Sequence, residues 1–362
     1  MSPPGNGAGR GAVGGEPYLT PGERQETQKA LDECEEDTED ARRGGDEKDR
    51  QQLLICLERG LHLRRKLYAE NSPQVSTACR ALCEACNFAA THMLNTENLK
   101  GAHDLLKRAE QVADRNDVDR AITWNNLACY YRRMGKLRTA VTFLERALAI
   151  EEHLDSADAA QTHLNLCATL SQLQRRSEAI NHAQSALIRI YETLSPHMLN
   201  GELSGGGEIS REHREQITVL CIAYHNLAVE YEYLKNFDAA LCAYASGLRW
   251  AGRFMDESHQ IIGILKNSAE AVKAKLPHGS SALRRAEDLM AGFPERRGGS
   301  AGSAGGAGGA PDSSRIGSSD AAEGLGGGES GSMPMDHLMT PRDGRRHEPG
   351  GADSEGEPGA EV

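Results

Sequence analysis

Between Pro73 and Pro196 apolar and polar positions alternate with the period of a helix, and the strict two-residue alternation of a half-buried strand is absent. The clearest stretch is Ile122 to Glu152, ITWNNLACYYRRMGKLRTAVTFLERALAIEE. Trp124, Leu127, Ala128 and Tyr131 fall at i, i+3, i+4 and i+7, one face of a first helix. Ala140, Leu144 and Ala147 form the matching face of a second. Small Ala128 and Ala140 let the two helices approach closely, and Gly135 supplies the left-handed residue that ends the first.

The same offsets recur. His163, Leu166, Cys167, Leu170, Ala179, Ala183 and Ala186 repeat them 39 residues on, and Tyr224, Leu227, Ala228, Tyr231, Ala240, Tyr244 and Gly247 a further 61 residues on. A degenerate copy, Cys86, Ala89, Ala90, Met93, Ala102, Leu106 and Ala109, precedes the first by 38. The long step is one repeat plus an insert, Ser195 to Glu215, centred on Gly205–Gly207 and expected to be a flexible loop. Upstream, Leu54, Leu57, Leu61 and Leu67 mark a helix preceded by another over Gly22–Ala41, very acidic (DECEEDTED) and expected to dock loosely. Downstream, Ile261, Leu265, Ala269, Val272 and Leu276 mark a final helix whose polar side closes the stack.

The pattern around Trp124 resembles the tetratricopeptide repeat, W-x2-L-G-x2-Y…A-x3-F, with alanine for the glycine and leucine for the phenylalanine. Within that superfamily WNNLACYYRRMGKLRTA and LERGLHLRRKLYAENSPQVSTA are most similar to kinesin-light-chain-type repeats, over about residues 50–250. The chain departs from that type in its shorter repeats, its insert and the lack of an amino-terminal heptad coiled coil. The expected architecture is an all-α, right-handed solenoid of antiparallel helix pairs over 23–276, with repeats at 50–70 (partial), 83–113, 121–154, 160–192 and 221–252 and a capping helix at 258–276. Segments 1–22 and 277–362 are expected to be disordered, being rich in glycine, alanine and serine.

The resemblance implies a concave groove, lined by first helices, that grips a peptide or protein. Asn126, Asn165 and Asn226 stand one residue before each repeat's leucine, where asparagines of light-chain-type repeats hydrogen-bond the backbone of a bound peptide. An amide both donates and accepts, which suits backbone of any sequence. The alternative reading is that these amides tie adjacent helices together. Asn87, Asn125 and His225 lie one place earlier and are expected beside them, and Arg133 is placed to meet a carboxylate. Arg132 and Arg133 also suit a solvated helix C-terminus. The lysine and asparagine set that clamps chaperone carboxyl termini is missing, with Leu164 and His225 in its place.

Other chemistry has little to rest on. Cys79, Cys83 and Cys86 occupy one helix face; Cys83-x-x-Cys86 with His92 has no second ligand pair, so packing in the core is expected and no metal. No phosphate-binding, zinc-protease or nucleophile-elbow motif occurs, and neither a catalytic function, a cofactor nor a small-molecule substrate is expected. The net charge of −12 and the lack of a basic tract argue against nucleic acid. No apolar run is long enough to span a membrane, and the opening MSPPGNGAGRGAVGG lacks the apolar stretch of a secretory signal. Nine cysteines in such a chain suit a reducing, cytoplasmic setting. Glycine-rich tails beside long repeats also resemble ciliary tetratricopeptide proteins. Two functions follow: an adaptor binding a protein partner in the groove, or a structural subunit of a large assembly such as a ciliary complex. Within the tail, SALRRAEDLMAGF reads as a short helix and MPMDHLMTPRDGRR as a short binding motif or phosphosite, each against chance within a linker.

Overall fold

A computed structural model describes residues 19–44, 46–113, 116–200 and 209–291. The described residues are helical throughout, in two compact units, 19–200 and 209–291. The first holds α1 (Pro21–Arg43), α2 (Glu47–Leu67), α3 (Pro73–Asn95), α4 (Leu99–Val112), α5 (Asp117–Arg133), α6 (Leu137–His153), α7 (Ala159–Gln172) and α8 (Arg176–Leu199). The second holds α9 (Arg211–Tyr233), α10 (Phe237–Phe254), α11 (Gln260–Lys273) and α12 (Ser281–Ala291). In each unit consecutive helices pack on one another, except that α12 packs on α10 rather than on α11; first helices also pack on first helices, α3 on α5, α5 on α7, and α9 on α11.

Local sequence sets the helix ends. Thr20 with Glu23 and Asp46 with Asp49 form reciprocal capping boxes at α1 and α2, and Ser72, Asn98, Asn116, Ser210 and Asn236 cap five further helices. The turn inside the pairs α3–α4, α5–α6, α7–α8 and α9–α10 is one device used four times. Glu97, Gly135, Gln174 and Lys235 all take left-handed backbone, at φ of 60°, 72°, 60° and 57°. In each, the next amide reaches back five residues to close the helix, as in Lys136 N to Tyr131 O (2.8 Å) and Asn236 N to Tyr231 O (2.8 Å). These turns are spaced 38, 39 and 61 residues apart, the intervals of the apolar pattern. Only Gly135 meets the geometry without a Cβ clash. Gln174→Gly is therefore expected to raise stability by up to about 1 kcal/mol, read as a higher denaturation midpoint.

The repeat core sits where the offsets place it. Leu127, Ala128, Ala140, Leu144 and Ala147 are all fully buried, as are Ala179, Ala183 and Ala186. In the second unit a Cβ on Gly247 would lie 3.2 Å from both Leu265 and Tyr224, so that glycine sets how closely α9, α10 and α11 approach. Trp124, by its place in the pattern a core residue, is only half-buried; its indole N–H donates to Glu110 Oε1 (3.2 Å) and Arg120 lies over the ring. His163 and His182 stand 39 residues after Trp124 and Phe143. Their rings meet at 2.9 Å between the two Nδ1 atoms, which requires one ring to donate and the other to accept.

Four sequence expectations change. The acidic first helix docks: Leu31 and Cys34 are buried, the Cys34 thiol donates to Cys56 O at 3.1 Å, and Arg64 pairs with Glu35. The flexible loop expected over 195–215 is shorter at both ends, because α8 continues through Pro196 to Leu199 and α9 begins at Arg211; residues 201–208 lie outside the described chain. The tail, expected to be disordered from 277, is helical over Ser281–Ala291, where the short helix read in SALRRAEDLMAGF lies; Ala282 and Ala286 are buried there and α12 packs on α10. The closing element of the second unit is thus two helices, since α11 leaves the far side of α10 uncovered. The motif at 333–346 and the segment 1–18 fall outside the described residues.

Candidate protein-binding surface

The asparagines expected to line a groove are buried. Asn125, Asn126 and Asn165 have no exposed surface, and Asn87 and Asn226 have 1 %. In the first unit they form a ladder between first helices. Asn126 donates its Nδ2 to Asn87 Oδ1 (2.9 Å), joining α5 to α3, and Asn165 donates to Asn125 Oδ1 (2.6 Å), joining α7 to α5. Each rung has a second bond in the opposite sense. Asn87 Nδ2 donates to Thr123 Oγ1 (2.9 Å), and Asn125 Nδ2 to Thr162 Oγ1 (2.9 Å). Thr123 passes its own proton to Asp119 O (2.8 Å). One module, Asn accepting from Asn and donating to Thr of the next first helix, therefore occurs twice at a 38–39-residue interval. The expectation of peptide contact at Asn87, Asn125, Asn126 and Asn165 is thereby corrected: these amides are buried between helices, where of their oxygens and nitrogens Asn165 Oδ1 alone lacks a partner among the described residues, and a ligand backbone has no access to them.

The module stops at α7 for a reason visible in its residues. Leu164 stands where Asn87 and Asn125 stand in α3 and α5. In the second unit Asn226 pairs weakly with its neighbour, its Oδ1 lying 3.5 Å from His225 Nδ1, and its Nδ2 has no partner among the described residues. His225 is itself 4 % exposed and stacks edge-on against Tyr244. Burial pushes its pKa down to about 4, so it is neutral at neutral pH and offers no charge to a ligand. Arg133, expected to meet a carboxylate, is half-buried and donates to Leu94 O at 2.8 Å, closing the C-terminus of α3.

The cysteines belong to the interior. Cys83 and Cys86 are buried between α3 and α4, and desolvation raises both thiols to about 12, which keeps them protonated and unreactive. All nine cysteines are free thiols. No described helix is long and apolar enough to cross a membrane.

Exposed polar chemistry sits instead at the turns. Between the α5–α6 and α7–α8 turns lies a shallow depression formed by Gly135, Lys136, Leu137, Arg138, Thr139 and Leu173. Lys136 and Arg138 are exposed and pair with no carboxylate among the described residues, whereas Arg175 nearby is held by Glu178. Met134, next to Gly135, is 43 % exposed. Gly135 apart, neither the repeat pattern nor the resemblance singled out these residues, because the pattern locates the turn but not which of its side chains stand exposed without a partner.

Comparison with known proteins agrees with the helix pairs. Residues 120–158, which hold most of α5 and all of α6, match the profile of the tetratricopeptide repeat. The chain carries a tetratricopeptide repeat there, and the flanking pairs reproduce its turn and its core offsets. No curated protein sequence matches the chain. Among solved structures, BtubC (BKLC) from P. vanneervenii is similar, at 18 % identity and a TM-score of 0.38 over 77 % of this chain and 97 % of that one. A Rap protein complexed with competence and sporulation factor gives 12 % identity and a TM-score of 0.42, over 74 % and 77 %. PilF of Pseudomonas aeruginosa gives 14 % and 0.36, over 73 % and 98 %.

Proposed function

We propose that the protein is a non-catalytic adaptor that holds a protein partner on the turn edge of its repeats rather than on the asparagine face of its first helices. The observation that carries this is the pair Lys136 and Arg138, exposed and without carboxylate partners among the described residues, beside the apolar Leu137, Leu173 and Met134 in a chain of net charge −12. A cation without a carboxylate partner among the described residues is available to one on another protein, and adjoining apolar surface adds affinity that charge alone does not. The stack behind it is stiffened by buried amide bonds, which lowers the ordering cost of binding. Free cysteines throughout the described fold support a reducing, cytoplasmic setting. The reading as a ciliary structural subunit asks for a continuous apolar patch on the second helices. Of the exposed apolar residues there, Ile55 at 58 % on α2 and Ile188 at 59 % on α8 stand apart, and Met198 and Leu199 adjoin only at the last turn of α8.

The test is a charge reversal, Lys136→Glu with Arg138→Glu, in the full chain. Proteins captured by the wild-type chain are expected to be lost from the variant while its helical circular-dichroism signal and melting temperature stay unchanged. Equal capture by both chains would reject the turn edge as the binding surface.

A further inference from the structure

The positions of Trp124 and Phe143 lie 19 residues apart, and the same step recurs in every copy of the repeat. It places Cys86 with Leu105, Trp124 with Phe143, His163 with His182, and Tyr224 with Ala243. Three copies thus hold side chains that stay uncharged at and below neutral pH. The copy made by α7 and α8 holds two rings that each gain a charge just below it.

Both rings lie in the α7–α8 interface, His163 at 5 % exposure and His182 half-buried, with centroids 5.2 Å apart. The 2.9 Å contact between their Nδ1 atoms is a bond only while one carries a proton and the other does not. Glu152 Oε1 lies 3.8 Å from His163 Nε2 and favours a proton there. His163 Nδ1 then accepts, and His182 Nδ1 donates. A first added proton goes to His182 Nε2 and leaves the bond intact. A second finds only His163 Nδ1, where it sets N–H against N–H and cation against cation in a buried interface.

The surrounding charges do not offset that. From α6, Glu152 and Glu145 act on His182, and from α8 so does Glu178, but all three carboxylates are exposed. Glu178 is already held by Arg175, and Arg189, which faces His163 from α8, pairs with Asp155 at 3.7 Å. The helix α7 has no other charged side chain. On α5, which also packs on α7, Asp119 and Arg132 are buried and neither bonds to a ring. Within the first unit α8 packs chiefly on α7, whereas α7 is tied onward to α5 by the rung from Asn165 to Asn125. The interface that loses its bond is therefore the one that holds α8.

We propose that the His163–His182 pair is a proton-operated latch, and that in mild acid α8 comes away from α7 while α3 to α6 stay closed. A single detached helix is marginal in water, so α8 frays once released. The turn from which it starts carries Leu173, one wall of the depression at the turn edge, so release also loosens that wall. This last consequence rests on the turn edge being the binding surface; the release of α8 does not.

The experiment is amide hydrogen exchange of the full chain at pH 7.5 and pH 4.5, read by peptide mass spectrometry and corrected for intrinsic rates. The amides of α8 are expected to exchange ahead of those of α3 to α6 at both values. At pH 4.5 they are expected to gain on the order of fiftyfold in rate, the ratio of proton uptake by a free ring at 6.5 to one held at about 4. His163→Trp with His182→Phe gives this copy the pair of the preceding repeat, and His163→Cys with His182→Leu gives it the pair of α3 and α4. In either variant that folds, the gain is expected to shrink to a few-fold at most. Exchange of α8 in step with α3 to α6 overturns the proposal, because the opening is then that of the whole unit. So does a fiftyfold gain that survives replacement of the pair. So, in the wild-type chain, does a ring nitrogen-15 spectrum at pH 7.5 showing the same tautomer in both histidines.

Discussion

Asn87→Ala is expected to lower stability by about 2–4 kcal/mol, or roughly 5–15 °C in melting temperature. The magnitude follows from what the side chain holds. Asn87 accepts from Asn126 and donates to Thr123, both fully buried, and its own helix takes a further bond at Cys83 O. Removing it leaves a buried amide N–H and a buried hydroxyl oxygen without that partner, each costing more than the net value of a bond. The cavity left by the amide adds to this. A thermal melt of the full chain measures the change. An unaltered melting temperature would return Asn87 to the surface and to ligand binding.

Acid is expected to weaken both units through a different group in each. His163 and His225 are held neutral in the fold, each with a pKa pushed from the usual 6.5 down to about 4, chiefly by desolvation. His182, the ring partner of His163, is shifted in the same direction by the same cause. In the unfolded chain these rings bind a proton below about 6.5, whereas the folded chain refuses it until about 4. The unfolded state therefore gains protons first, and stability is lost progressively as pH falls from about 6.5 to about 4. Each tenfold drop in proton affinity on folding corresponds to roughly 1.4 kcal/mol, so each histidine contributes on the order of 3 kcal/mol to the loss. Denaturant midpoints between pH 7.5 and pH 4.5 measure it. In His163→Gln the slope of stability against pH is expected to be shallower, even if the variant is less stable at neutral pH.

The helices and their pairing are legible in the residues because three signals coincide: the apolar offsets, the left-handed turn and the cap residues. Even Glu97, Gln174 and Lys235, which are poor choices for the turn, are located by their distance from Gly135. The packing partners of the asparagines are less legible. A residue beside a core leucine points about 100° away from it. In a single helix pair that direction leads to solvent or a groove; in a stack it leads to the next first helix. Only the three-dimensional register shows that Asn126 meets Asn87, one place off its own equivalent, and that Thr123 and Thr162 complete each rung. The acidic charge of α1 also conceals its docking, because Leu31, Cys34 and Ala41 are few and widely spaced among carboxylates. The turn edge is legible only in hindsight, since Lys136 and Arg138 gain meaning from having no carboxylate partner among the described residues, which sequence alone does not show.

The first-helix amides are internal to the repeat stack, and everything proposed for the turn edge depends on that. Hydrogen exchange of the asparagine side-chain NH2 groups, followed by nuclear magnetic resonance on the isotopically labelled full chain, tests it directly. The NH2 protons of Asn87, Asn125, Asn126 and Asn165 are predicted to be strongly protected, exchanging only when the helices open. Exchange at the rate of a free amide, with the backbone amides of α3, α5 and α7 still protected, would contradict it.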